Sequence, residues 1–241
     1  MNELSIIVPC VSTTETLYQF LDQLALQVMD RPSDIDVIVV TNETVVAPEA
    51  IVSYVRERHP WLRLVVLQRR GAMRNFGALV RFGVAYSTSR SVVIVSPYGE
   101  DDLSLITRML DTMRKGAQVV QATRYASPEA ARSVSWLFRF YQSAYRFLTR
   151  ALLGLSITDS TYGFKMFDRV FVQALGLTHN GYSVCPEITL KALLAGGRVE
   201  YLTSMAKTTP LNKDFKIWRE GMGYLWVLVR GSLHRVGIVW F

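Results

Sequence analysis

SVVIVSPYGEDD, residues Ser91 to Asp102, decides the fold class. An apolar, largely β-branched run breaks at Pro97 and Gly99 and empties into three consecutive acids, Glu100, Asp101 and Asp102. This is the profile of a buried strand leaving a sheet at its carboxyl end, where open α/β sheets place their ligands. Clustered carboxylates at such an exit suit a divalent cation and, through it, a phosphorylated substrate. The exit itself reads Ser96, Pro97, Tyr98 and contains no acid. The stretch combines the shape of a metal-assisted site with a thinned set of ligands.

Outward from it, short apolar runs alternate with helical patterns. SIIVPC (5–10), DVIVV (36–40), LRLVVLQ (62–68), SVVIV (91–95) and AQVVQATR (117–124) read as strands. Between them, 15–28, 48–58, 76–86 and 103–114 read as helices, the first through Leu17, Phe20, Leu21, Leu24 and Val28 at helical spacing. This alternation predicts an α/β fold, a mostly parallel sheet sandwiched by helices.

The second half changes character. Ser133 to Leu153 is aromatic and basic, with Trp136, Phe138, Arg139, Phe140, Tyr145, Arg146, Phe147 and Arg150. Ile217 to Phe241 repeats the composition and places Met222, Leu225, Trp226, Val229, Leu233, Val236 and Trp240 at helical spacing. Two readings are open for such helices: burial against core or a partner, or a place in the bilayer interface with arginines snorkelling to the headgroups. Glycines at 221, 223, 231 and 237 argue against one straight C-terminal helix.

With 241 residues, half of them hydrophobic, the chain is long enough for one sizeable core. A formal charge of +7 points to an anionic partner, and charge alone does not choose among phosphate, nucleotide, nucleic acid and acidic lipid. No nucleic-acid-binding module is recognisable, so nucleic acid is not expected as a partner. Cys10 and Cys185 lie far apart with no ligand-spaced His or Asp, which predicts two buried thiols in a reducing compartment. The opening MNELSIIVPC lacks a basic leader region and reads as a first strand, and no run reaches the ~18 apolar residues of a membrane span. These features predict a cytoplasmic protein, peripherally attached to the inner face of the membrane.

SIIVPC with its following helix, RRGAMRNFGALVRFGVAYS (69–87) before SVVIV, and ITDSTYGFKMFDR (157–169) together resemble the family 2 glycosyltransferases of GT-A fold. Within them the chain is similar to the polyprenyl-phosphate enzymes, the dolichyl-phosphate mannose synthases and their bacterial counterparts. The tetrapeptide RNFG (74–77) is similar to enzymes that load sugars onto undecaprenyl phosphate. The resemblance runs collinearly over residues 4 to 215. It implies a glycosyltransferase domain over 1–215, followed by an amphipathic helix over 216–241 at the membrane surface or an interface.

The resemblance also implies roles. A nucleotide-sugar would meet Pro9, Ser12, Asn42, Ser96 and Tyr98, with Arg74, Asn75 and Gly77 from RNFG, and with Arg124 and Lys213. Asp101 and Asp159 match family acids and are the candidate catalytic bases, although an anionic phosphate acceptor would need none. The cofactor stays open between magnesium or manganese and no metal, because the family's Asp-x-Asp is here Ser96-Pro97-Tyr98, leaving Asp101 and Asp102 as displaced candidate ligands. The same acids also read as a helix N-terminus favouring negative charge, Asp159 as a loop or cap residue, and Gly77 as a turn residue. Glu187 reads as an acid at a helix start, with capping as its plain role. Without metal, arginines, lysines or helix N-termini would have to stabilise the leaving diphosphate, with Arg69, Arg70, Arg74, Arg81, Arg124 and Lys213 as candidates. The expected function is transfer of a sugar to a polyprenyl phosphate or other lipid-linked acceptor. The alternative is a non-catalytic relative acting as partner or regulator in a membrane glycosylation complex, and an oligomer is open in either case.

Overall fold

The computed structural model describes residues 2–11, 16–30, 34–42, 47–70, 75–125, 136–204 and 217–241. In chain order these form β1 (Leu4–Cys10), α1 (Thr16–Val28), β2 (Ile35–Asn42), α2 (Pro48–Arg58), β3 (Arg63–Arg69), α3 (Phe76–Tyr86), β4 (Ser91–Ile94) and α4 (Leu105–Arg114). There follow β5 (Val119–Thr123), α5 (Trp136–Leu153), β6 (Lys165–Asp168), α6 (Arg169–Ala174), α7 (Val184–Leu194), β7 (Val199–Thr203) and α8 (Ile217–Arg235). The seven strands make one sheet in the order β3-β2-β1-β4-β6-β5-β7, with β4 at its centre. Every pairing is parallel except those of β6, which runs antiparallel to both β4 and β5. The expected mostly parallel sheet is present.

Alternate residues of the central strands feed two cores. Leu4, Ile6 and Val8 of β1 point into one with Leu17, Leu21 and Leu24 of α1, Ile51 of α2 and Met109 of α4. Ile7 of the same strand joins Leu79, Val80 and Val84 of α3 and Val184 and Ile188 of α7 on the opposite face. Covering helices on both faces explain why these strands read as continuous apolar runs. Helix α3 lies close because Gly83 has no Cβ: one built there would stand 2.8 Å from Ile7 Cγ2.

A third core joins α5, α7 and α8 through Tyr145, Leu153, Leu190, Tyr224, Val227 and Leu228. The C-terminal helix thus shares a core with the elements before it. It stops short of the sequence reading: Gly237 takes φ +77, and the amides of Gly237 and Ile238 close back on the carbonyls of His234 and Leu233. The chain then reverses and lays the Phe241 ring over Lys191 and Arg230. Helix α4 begins at Leu105 rather than Leu103, because Asp102 Oδ1 accepts from the Ser104 amide and hydroxyl at its entry.

Strands β6 and β7 have no counterpart in the sequence reading. KMFD is too short for a periodicity signal, and its antiparallel insertion is a non-local pairing. Its consequence is positional. Because β6 runs against its neighbours, the loop leading into it, 158–164, lies at the carboxyl edge of β4 and β5.

Candidate active site

At the exit of β4 the backbone turns sharply. Ser96 donates its amide to Asp101 Oδ2 at 2.7 Å, Tyr98 donates its amide to Ser96 Oγ at 3.3 Å, and Gly99 takes φ +74. Asp101 is thereby folded back onto the strand end, while Asp102 is turned to the α4 entry. Burial pushes the Asp101 carboxyl up to about 6, against the Ser96 amide, the Tyr162 hydroxyl and the Arg124 charge, which favour the anion. Burial, and next the Asp101 charge, push Glu100 up to about 7. Tyr98 is buried.

Beside this turn, Arg124 leaves β5 and meets Asp159 from the loop before β6. Arg124 Nε lies 2.7 Å from Asp159 Oδ2 and Nη2 lies 2.9 Å from Oδ1, a two-point pair, and the Arg124 amide donates to Oδ2 at 3.2 Å. Asp159 is fully buried. Burial works against the Arg124 charge, but the Asp159 carboxylate outweighs it and holds the guanidinium pKa above its ordinary value. The guanidinium lies over the Tyr162 ring, 4.3 Å from its centroid, with Phe138 at 5.1 Å. Thr161 Oγ1 adds a 3.4 Å bond to Asp159 Oδ1, and Gln142 on the inner face of α5 donates to Thr161.

Under this loop sits Lys165, fully buried on β6, donating to the Ser160 carbonyl at 2.7 Å, Gln121 Oε1 at 3.0 Å and Thr189 Oγ1 at 2.6 Å. Burial pushes its pKa down to about 8, opposed by Cys185 and Asp159. The sequence reading did not single out Tyr162 or Lys165. A lysine heading the short strand KMFD, directly before the apolar pair Met166 and Phe167, was the available signal.

The other expected site residues divide. Pro9 and Asn42 stand at the carboxyl ends of β1 and β2, the same edge as Ser96 and Arg124. Asn42 is buried, and neither Oδ1 nor Nδ2 has a partner among the described residues. Asn75 precedes α3 in extended conformation without a side-chain capping bond. Ser12, Arg74 and Lys213 lie outside the described residues. Gly77 is a correction: the space of its missing Cβ is taken by the carbonyls of His179 and Gly181, each at 2.6 Å, so the close approach there is to the protein's own loop rather than to a phosphate.

Arg81, a candidate for the diphosphate, instead donates to the Thr178 carbonyl and Asn180 Oδ1, both at 2.9 Å. It lines a cleft of about 620 Å³ between α3 and α6, with Arg69, Phe82 and Gln173, to which no residue of the β4 exit contributes. Glu187 does more than stand at a helix start. It accepts from the amides of Thr178 and His179 and from Thr178 Oγ1, and pairs with Lys191 at 3.0 Å, anchoring the same loop.

Compared with known families, residues 5–176 match the sequence pattern of glycosyl transferase family 2. The chain belongs to this family. No curated protein sequence is significantly similar to it. Among solved structures, a family-type fold recurs in glucosyl-3-phosphoglycerate synthase from Mycobacterium tuberculosis, solved with Mn2+, UDP and phosphoglyceric acid. It has a TM-score of 0.63 and 16% identity, over 99% of this chain and 80% of that one. Mannosyl-3-phosphoglycerate synthase from Rubrobacter xylanophilus gives a TM-score of 0.68 at 14% identity, over 99% and 76%. S. aureus TarS 1-349 gives 0.63 at 15%, over 98% and 73%. These likenesses establish the fold.

The family 2 pattern implies a divalent cation, so the β4 exit must be asked whether it fits one. Asp101 Oδ1 is a buried carboxylate oxygen without a hydrogen bond, but it is a single donor. Oδ2 is held by the Ser96 amide, Asp102 is used at the helix entry, and Tyr98 supplies no carboxylate. Among the described residues no three acidic, His or Cys side chains converge. Asp101 and Asp102 are bonded to different amides, those of Ser96 and Ser104, and among the described residues no third ligand joins them, so the described donor set by itself does not fit the cation.

Proposed function

We propose that this family 2 chain transfers a sugar from a nucleotide-sugar donor to a phosphate carried on a lipid, at the surface of an anionic membrane. The observation that carries this reading is the two-sidedness of α5. Its inner face holds Gln142, Tyr145 and Thr149, with Gln142 bonded to Thr161 beside Asp159, while its outer face exposes Trp136, Phe140, Phe147, Leu148 and Leu152. The inner face is completed by Leu153, and so many large aromatic and aliphatic side chains on the outer face are unusual for a water-facing element. Helix α8, which packs against α5, exposes Met222, Leu225 and Trp226, followed by Val236, Ile238 and Trp240. Arg139, Arg150 and Arg235 are exposed on the same segments, each contributing on the order of 1 kcal/mol against anionic headgroups. No helix among the described residues is long and apolar enough to cross a membrane, so contact would be interfacial.

In this reading the donor occupies the carboxyl edge near Pro9, Asn42 and Ser96, where a ligand would satisfy the Asn42 side-chain amide, which has no partner among the described residues. The acceptor phosphate enters past α5 toward Arg124. An acceptor oxygen attacks the anomeric carbon as the bond to the nucleoside diphosphate breaks. The acceptor is already anionic, so no base is needed, in keeping with Asp159 engaged by Arg124. Asp159 acts by fixing Arg124.

Incubating the protein with labelled UDP-, GDP-, CDP- and dTDP-sugars and vesicles containing undecaprenyl or dolichyl phosphate should yield a labelled lipid. Transfer only to water-soluble acceptors would defeat the lipid reading. The replacement of the acids by Ser96 and Tyr98 favours a second reading, a non-catalytic partner of a membrane glycosylation complex. Absence of nucleotide-sugar binding across that panel would select it.

A further inference from the structure

The cleft between α3 and α6 takes no part in the proposed transfer, and its lining is chemically one-sided. We infer that it is a second binding site, one that takes a small organic anion with an apolar body. Its volume comes from small side chains. Ala78, Arg81 and Ala85 follow one another at helical spacing along one face of α3, and Gly176, beyond the end of α6, lines the same space of about 620 Å³. That is the size of an ordinary small-molecule site. Phe82, Val172 and Leu177 supply apolar surface for the body of the ligand, and the Phe82 ring is 40% exposed there.

Polar groups decide the charge of the ligand. Arg69 and Arg81 line the cleft and no acid does. The side-chain oxygens of its lining are already engaged: Asn180 Oδ1 accepts from Arg81 Nη1 at 2.9 Å, and Gln173 Oε1 accepts from Arg169 Nη1 at 3.1 Å. The groups still open are donors. Arg81 commits only Nη1, to the Thr178 carbonyl and to Asn180, and among the described residues neither its Nε and Nη2 nor Asn180 Nδ2 makes a hydrogen bond. Glu187, the acid that anchors the adjoining loop, is occupied by the amides of Thr178 and His179 and by Lys191. Guanidinium donors beside an amide donor, with no competing carboxylate in the lining, suit a carboxylate, sulfonate or phosphate group.

The walls are held in place without a ligand. Gln173 Nε2 donates to the Val84 carbonyl at 3.0 Å and ties α6 to α3, while Lys191 Nζ holds the Gly176 carbonyl at 2.7 Å. No residue of the β4 exit lines the cleft, so its ligand is distinct from the sugar donor and the two sites can be tested separately.

The probe is anilinonaphthalene sulfonate, an aromatic anion that fluoresces when bound. It is titrated into the full chain carrying W136S/F140S/F147S, so that the exposed aromatic face of α5 does not compete. Saturable binding to a single site is expected. Phenylnaphthylamine, the same ring body without the sulfonate, should bind about tenfold or more weakly. A85W fills the cleft from an exposed helix position and leaves the Arg81 bonds in place. It should keep the melting temperature of its parent and weaken the sulfonate by about tenfold or more, as should R81Q. Absence of saturable binding, or an affinity in A85W equal to the parent's, would overturn the site. Equal affinity for the uncharged amine, or an R81Q variant that binds as its parent does, would overturn its assignment to an anion.

Discussion

Asp159 closes both carboxylate oxygens on the Arg124 guanidinium, at 2.7 and 2.9 Å, while the Arg124 amide donates to the same carboxylate. Two residues 35 apart in sequence are thus locked at the carboxyl edge of β5. Asp159→Ala strands a largely buried guanidinium and should cost about 3–5 kcal/mol in urea unfolding. The double variant Arg124→Met/Asp159→Leu should lose less than either single change, because no charge is left unpaired. Turnover should be lost in all three, and near-neutral stability of Asp159→Ala would refute the pair's structural role.

The raised pKa of Asp101 gives a pH signature. Its folded value of about 6 lies above the ordinary value of 3.8, so between these pH values the folded state holds a proton that the unfolded chain has released. Stability from this group therefore falls as pH rises through that window, by on the order of 2 kcal/mol. Asp101→Asn should be more stable than wild type at pH 8 and equal to it near pH 4. Equal unfolding free energies at both pH values would refute the buried, protonation-favouring environment.

Glu187 has the opposite sign. Burial alone would raise its pKa, but the hydrogen bonds from His179 and Thr178 and the Lys191 charge bring it down to about 2. Its contribution is complete above the ordinary value of 4.5 and is lost as pH falls toward 2. Glu187→Gln should cost on the order of 3 kcal/mol at pH 7, with the gap to wild type closing below pH 4. A gap constant with pH would mean that packing, not charge, is what the substitution removes.

Two glycines should respond differently to alanine. At Gly77 the added methyl meets main-chain oxygens of His179 and Gly181 at 2.6 Å, which cannot swing aside, and about 1–3 kcal/mol is expected. At Gly99 the space is open but φ is +74, so the cost is conformational, about 1 kcal/mol. Thermal melts of Gly77→Ala that match wild type would contradict the close approach of α3 to the 179–181 loop.

The exposed aromatic face is separable from the fold. Trp136→Ser/Phe140→Ser/Phe147→Ser removes side chains that are 72%, 66% and 70% exposed, so the melting temperature should hardly change. Pelleting with anionic liposomes should drop sharply, and the residual binding should disappear as salt is raised. Unchanged pelleting would place the membrane contact elsewhere.

Local periodicity made much of this molecule legible from its residues alone. The bounds of α2 and α3 follow from Pro48 and from the apolar repeat between Phe76 and Tyr86, and the parallel frame from apolar runs separated by helical patterns. The turn at Pro97 and Gly99 correctly marked the carboxyl edge of the central strand, because backbone breakers act within a few residues. Tertiary structure alone decided where the side chains went from there. The four-residue β6 pairs antiparallel between β4 and β5, and only that non-local pairing brings Asp159 to Arg124 and buries Lys165 beneath them. Likewise the three acids were visible as a cluster, but that Asp101 and Asp102 fold back onto the amides of Ser96 and Ser104 was not. In α8 the spacing picked out Met222, Leu225 and Trp226, yet Tyr224, Val227 and Leu228 are the residues buried. A stripe of apolar residues records a helix period, and which side of the helix meets the core is fixed by the elements that pack against it.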